Sequence, residues 1–443
     1  MNGLRIGIAK VDFTPPVGLP LMGNLREDYA STGVHDPLFA KALVLADSAG
    51  ARAALLAVDI CMLTRKQVAL MREHIARGCD VPAANVLIAA THIHSGPATA
   101  SIYTAPAPSA EVIAAFLTRA AEAVVLASRN LQPGKLTVGR GREDRLSFYR
   151  RLLCRNGKVH MNWEGLDPAF VVHPLGAIDP DVTAVGIDRS GSRAAAVNFA
   201  LHPAILDYGN NLYSGEYPGF LAEAMRKIQG PQFETVFFNG CCGNLNHLDH
   251  ADPATPRRGY AAAQRTGYML AAAAAEALRA AAPVEAEPLL VSREAVALKR
   301  LPVSEETYRW SLDAIERMKR SPIRSIADGL PREFSAPEWV RMYELQNADD
   351  HAEVMALRIG EIAVGGLPGE VFCEFGRRIR QESPAKHTLV VELANDWVGY
   401  LPTSEAFDQD GGYETTPGAT CYTRDAGERL TQSALRQLRT LFG

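Results

Sequence analysis

The sequence predicts an α/β fold, with mixed β-sheets covered by helices, in a single large domain. Two observations carry this. Short apolar, β-branched runs alternate with amphipathic helical patterns along the chain. No internal repeat, low-complexity tract or Pro/Ser linker divides the 443 residues, although the length alone allows up to about three domains.

Taken in order, "RAALLAVDI" reads as a strand and "RKQVALMREHIARG" as an amphipathic helix. "ANVLIAA" reads as a second strand, followed by the long helical pattern "SAEVIAAFLTRAAEAVVLASRNL". "AAAVNFAL", "ETVFFN", "IAVGG" and "TLVVELA" are further strand-like runs. Helices fit "GFLAEAMRKIQ", "YAAAQRTGYMLAAAAAEALRAA", "EVFCEFGRRIRQ" and "RLTQSALRQLRTLF". Residues 301–341 are more charged and broken by prolines into short helices. They read as an insertion leaving the sheet, a lid or oligomer contact at one extreme and a solvated helical decoration, the blander reading, at the other.

Composition narrows the function. A hydrophobic content of 47% and a charged content of 22% describe an ordinary globular protein, and a net charge of -4 gives no electrostatic case for nucleic acid. The most apolar helical pattern, "YMLAAAAAEALRAAA", is mostly alanine and carries Glu276 and Arg279, so no membrane span is expected. The opening "MNGLRIGIAKVDFTPP" lacks the features of a secretory signal, and seven scattered cysteines without CxxC spacing suit a reducing compartment; the expectation is a cytoplasmic protein. Alanine-rich helices fit a monomer and a homo-oligomer alike.

In open α/β sheets, sites form beyond strand ends. After "NVLIAA" comes Thr91-His92-Ile93-His94-Ser95-Gly96-Pro97. Side chains two apart on an extended strand share a face, so His92 and His94 are expected to point the same way. Imidazole is the commonest protein ligand of divalent zinc, and two histidines with one carboxylate leave a position for water. Taken singly, His202 of "ALHP" reads equally as a buried residue satisfied by a backbone carbonyl. Glu370 of "LPGE" reads as an acid in the first turn of the helix it begins, favoured there by the dipole. In "FFNGCCGNLNHLDHAD", Cys241 and Cys242 read as small buried residues, or as thiol nucleophiles with His247. His247, Asp249 and His250 read as a solvated loop, or as a second metal site.

"THIHSGP" resembles the THxHSGP signature of the neutral/alkaline non-lysosomal ceramidases. Further matches follow in order: "GIAKVDFTPPVGLPLMGN", "HDPLFAKALVL", "HPAILDYGNNLYSGEYPGFL", "LPGEVFCEFGRRIR" and "NDWVGYLPTSEAFDQDGGYE". The resemblance implies one Zn2+ per chain held by His92, His202, Glu370 and Tyr400, with His94 beside it as a proton-transfer or water-positioning group. It implies Arg150 and Tyr413 as substrate-binding or oxyanion-stabilising residues. The family serine is replaced by Asn246, so water takes the nucleophile's role and Asn246 is left as a hydrogen-bond donor to the tetrahedral intermediate. The chain stops at "LRTLFG", without the family's C-terminal immunoglobulin-like domain. The implied activity is hydrolysis of an amide bond in a small-molecule N-acyl substrate, smaller or more polar than ceramide. The alternatives are a non-catalytic zinc-containing binding protein on the same scaffold and a metal-independent cysteine hydrolase. The zinc reading requires His92 and His202 within about 7 Å of one another.

Overall fold

The computed structural model describes residues 3–26, 28–207, 209–321, 323 and 331–443. Its largest sheet runs in the order Glu234–Asn239, Ser192–Phe199, Asp181–Arg189, Gln132–Arg142, Arg5–Asp12, Phe39–Ala46, Arg52–Val58, Val86–Ala90. The two end pairs are parallel and the pairs between them antiparallel, so the sheet is mixed. A second sheet orders Leu289–Leu298, Asp350–Ile359, Ile362–Gly366 and His387–Val391, antiparallel except for its last pair.

The strands read as unbroken apolar runs because both faces are buried. On Val86–Ala90, Val86, Ile88 and Ala90 face a core shared with helices Arg65–Gly78 and Ala110–Arg129. Leu87 and Ala89 face the opposite way, into a cluster with Leu357, Val364 and Val391 of the second sheet. Helix Ala426–Phe442 covers that sheet's outer face through Leu430, Ala434 and Leu438. Two sheets therefore stack face to face with helices outside both. Helix Tyr260–Arg279 lies so close on the first sheet that a Cβ at Gly139 would fall 1.8 Å from the carbonyl oxygen of Ala277, so only glycine fits there.

Most predicted elements form where the pattern places them, and two differ. Glu370 does not begin a helix: Glu370–Val371 is a short strand parallel to Tyr400–Leu401, because its N–H bonds to the carbonyl of Gly399, and the helix starts at Cys373. The 301–341 insertion is a solvated decoration only in part: helix Glu305–Arg320 buries no more than Ser311 and Ala314. It forms helix Glu305–Arg320 and helix Ala336–Leu345, the latter burying Ala336 and Met342 and donating the Trp339 indole N–H to the Pro417 carbonyl. Its residues 322 and 324–330 lie outside the described residues.

Helix Glu216–Gln229 opens on a buried carboxyl, Glu216, with φ at 52°. Burial raises its pKa to about 8, against the opposing N–H groups of Tyr217 and Ile205 that bond to it. Above the ordinary value of 4.5 the folded chain keeps a proton the unfolded chain has lost. Stability contributed here therefore falls as pH rises from about 4.5 to about 8, by on the order of a few kcal/mol. Denaturation midpoints at pH 5 and pH 8 should differ less in Glu216→Gln than in the wild type; equal differences would remove Glu216 as the cause.

Candidate metal centre

Four segments meet beyond the strand ends. Strand Val86–Ala90 stops two residues before His92, whose backbone is left-handed (φ 72°). The expected shared strand face for His92 and His94 is thus replaced by a turn. It is pinned by the His92 N–H to the Ile60 carbonyl (2.9 Å) and the His94 N–H to the Pro203 carbonyl (3.1 Å). A side chain in this region is strained, and the bonds hold it there. Leu393 and Asn395 also have positive φ, and Asn395 ties its loop to the same strand through the N–H of Ile88 (2.9 Å).

His92 Nε2 lies 3.1 Å from His202 Nε2 and 3.3 Å from Glu370 Oε2; His202 Nε2 is 4.0 Å from the same oxygen. All three side chains are buried. His92 Nδ1 is 2.7 Å from the Cys61 carbonyl, which can only accept, so Nδ1 carries a proton and Nε2 is the nitrogen turned to His202 and Glu370. The His202 ring is tied on its other side to Cys242, through the backbone and a 3.8 Å contact to Sγ. Glu370 Oε1 accepts from the Trp397 indole (3.0 Å), and Oε2 faces the two histidines. Two imidazole nitrogens and a carboxylate oxygen thus converge on one point, and a cation there would take the place of the proton that His92 Nε2 shares with its two neighbours. Ligand atoms about 2.1 Å from a tetrahedral ion sit roughly 3.4 Å apart, close to two of the three separations here.

Charge follows the same geometry. Burial opposes ionisation of His92, but Cys61 and Glu370 outweigh it and hold its pKa well above the usual imidazole value. Burial, then the neighbouring His92, push His94 and His202 well below it. Burial also works against the Glu370 carboxylate, yet His92, Tyr400 and Trp397 keep its pKa low. The Tyr400 phenol is driven well above its usual value, first by burial and then by Glu370.

The other expected site residues fall into two groups. Tyr400, Tyr413, His94 and Glu370 line one cleft with Asn24, Tyr103 and Phe334. His94 Nδ1 is 3.1 Å from Asn24 Oδ1, which leaves Nε2 of the neutral ring free. A Cβ at Gly23 (φ 108°) would strike the His94 ring at 2.4 Å, so glycine lets the loop cover that histidine. The Tyr413 hydroxyl meets that of Tyr103 (2.9 Å), and its ring is 5.4 Å from that of Tyr400. Arg150 lies behind, its guanidinium 5.1 Å from the Tyr400 ring, with Nε on Glu414 (2.7 Å) and Nη2 buried without a partner. Asn246 is not on the cleft wall. Its amide is engaged with that of Asn162 by two reciprocal bonds of 2.7 Å.

The cysteine alternative finds no support in this geometry. Cys241 and Cys242 are fully buried, and burial followed by Glu392 raises both thiols well above the usual range. The Cys242 thiol donates to Glu392 (2.8 Å) and lies near His202 rather than His247. All seven cysteines are free. Sequence reasoning passed over Asn24, Trp397, Glu392 and Glu414. Asn24, Trp397 and Glu414 sit inside the motifs quoted above, Glu392 in the strand run "TLVVELA", and Glu414 adjoins Tyr413; those placements are the signals that point towards them. Among the described residues no helix is long and apolar enough to cross a membrane.

The profile of the neutral/alkaline non-lysosomal ceramidase N-terminal region matches residues 4–240, which include His92, His94, Arg150 and His202. Neutral ceramidase of Pseudomonas aeruginosa is 27% identical over 230 residues, 49% of this chain and 32% of that protein. Neutral ceramidase A of Dictyostelium discoideum is 26% identical over 237 residues, 51% of this chain and 32% of that protein. The match thus spans about a third of the length of these relatives. The crystal structure of the Pseudomonas aeruginosa neutral ceramidase superposes with a TM-score of 0.76 at 19% identity, covering 100% of this chain and 75% of that one, which shows a common fold. Since the profile matches more than half of the sequence, the chain belongs to the neutral/alkaline non-lysosomal ceramidase family.

Proposed function

We propose that the protein is a zinc-dependent hydrolase of an amide bond in an N-acyl substrate smaller or more polar than ceramide. One observation carries the reading: the buried His92 Nε2, His202 Nε2 and Glu370 Oε2 converge within 4.0 Å of one another, two imidazoles and a carboxylate on one point. When bound, zinc would supply a nucleophile from water at neutral pH and polarise the scissile carbonyl. Tyr400, beside Glu370, is a further candidate ligand or a hydrogen-bond donor to the reacting oxygen.

The chain's own groups supply the rest. His94, held neutral by burial and His92, has a free Nε2 that can take a proton and pass it to the leaving amine. The Tyr400 and Tyr413 phenols stay protonated and can donate to an oxyanion, as can the unpartnered Nη2 of Arg150 behind them. Each such donor is worth roughly 3–4 kcal/mol in known oxyanion holes. The stack of Phe334 from the insertion on Tyr103 (4.4 Å between centroids) builds one wall of the cleft the substrate would enter.

The test is hydrolysis of a panel of short- and long-chain N-acyl amides. Chelation should abolish activity and zinc restore it, while iodoacetamide leaves it intact. Activity that survives chelation but falls with alkylation would overturn the reading in favour of a thiol nucleophile. Stoichiometric zinc without hydrolysis of any amide would leave only a binding role.

A further inference from the structure

The segment carrying His247, Asp249 and His250 makes neither a solvated loop nor a metal site. His247 is only 5% exposed. Asp249 is spent on Arg257 (3.4 Å) and on the N–H of Ala251 (2.9 Å), and the three side chains form no ligand cluster among the described residues. His247 lines a second cavity instead, which shares no lining residue with the metal cleft.

Its polar wall is made of Arg145, Arg257, Arg265, His247, Thr255 and Thr266, with no carboxylate in the lining. Arg145 is paired with Glu143, and Arg257 with Asp249 and, at 3.9 Å, Asp252. Among the described residues Arg265 bonds to the carbonyl of Pro256 (2.6 Å) and pairs with no acid. An independent observation points to a ligand: both ring nitrogens of the buried His247, and Nε of Arg257, have no hydrogen-bond partner. Buried polar atoms of this kind are rarely left unmet.

We infer that this cavity binds a small oxyanion, a phosphate or sulfate group, held by the guanidinium of Arg265 with His247 and Thr266 beside it. Arginine forks match such oxygens, and a hydroxyl and an imidazole N–H complete the set of donors. Burial, then Arg258 and Arg257, lower the His247 pKa to about 3, and an anion seated here would reverse the effect of that positive surround.

The probe is inorganic phosphate, titrated calorimetrically into the zinc-loaded full chain, with glycerol phosphate in a parallel series to tell a free anion from an organic phosphate. Saturable binding is expected in the wild type and equally in His202→Ala, which disables the metal cleft. Binding should weaken about tenfold or more in Arg265→Gln, whose exposed side chain can change without disturbing the core. The ring nitrogens of His247 should shift in 15N spectra of the wild type as phosphate is added, a readout that needs no variant. Absence of saturable binding, its loss in His202→Ala, or affinity unchanged in Arg265→Gln with a silent His247 would each overturn the site.

Discussion

Glu370→Gln should lose its metal and about 10³-fold or more of kcat/KM while staying folded. The substitution keeps the shape of the side chain and an acceptor for the Trp397 indole, but removes the one formal negative charge among the three converging groups. A Lewis acid contributes several kcal/mol to the transition state, and each 1.36 kcal/mol is a decade of rate. Loss of affinity should exceed the 10–100-fold typical of an outer partner. Metal content after dialysis, activity and the circular dichroism spectrum together check this. A variant that binds zinc as tightly as the wild type would show that Glu370 is a bystander.

The second large effect is expected at Glu414, which is fully buried between Arg150 (Nε, 2.7 Å) and Arg151 (Nη1, 2.8 Å). Glu414→Gln keeps the volume but leaves two buried guanidinium groups without their counter-charge. Breaking a buried pair in this way costs about 3–5 kcal/mol, far more than an exposed pair, because the desolvated charge that remains has no partner. The denaturation midpoint should drop accordingly. Residual folded enzyme should also be slower, since Arg150 is the group behind Tyr400 that Glu414 orients. Unchanged stability would mean that solvent or another acid compensates the two arginines.

What was legible in the sequence depends on the range of the interaction that fixes each feature. Strand Val86–Ala90 could be read because burial on both faces demands an unbroken apolar run. Helix Arg65–Gly78 could be read because its amphipathic period is local, and Thr64 and Gln67 cap it within four residues. The His92 turn could not, since its left-handed backbone is held by the carbonyls of Ile60 and Cys61, and nothing within "THIHSGP" records them. Glu370 was misplaced for the same reason: local acid-before-helix patterning suggested a first turn, while the carbonyl of Gly399 drew it into a strand. Asn246 answers to Asn162, and Arg150 to Glu414, partners that no spacing rule connects. Motifs pointed to loops that meet beyond the strand ends, while the conformations of the side chains within them were set by tertiary contacts.

The central claim is that His92, His202 and Glu370 hold one ion. The most direct measurement is anomalous diffraction at the zinc edge from crystals of the purified chain, with metal content determined on the same preparation. The account predicts one zinc per chain and a single anomalous peak about 2.0–2.2 Å from His92 Nε2, His202 Nε2 and a Glu370 oxygen. A zinc-loaded protein whose peak lies elsewhere, with the two histidines still hydrogen-bonded to each other, would contradict it.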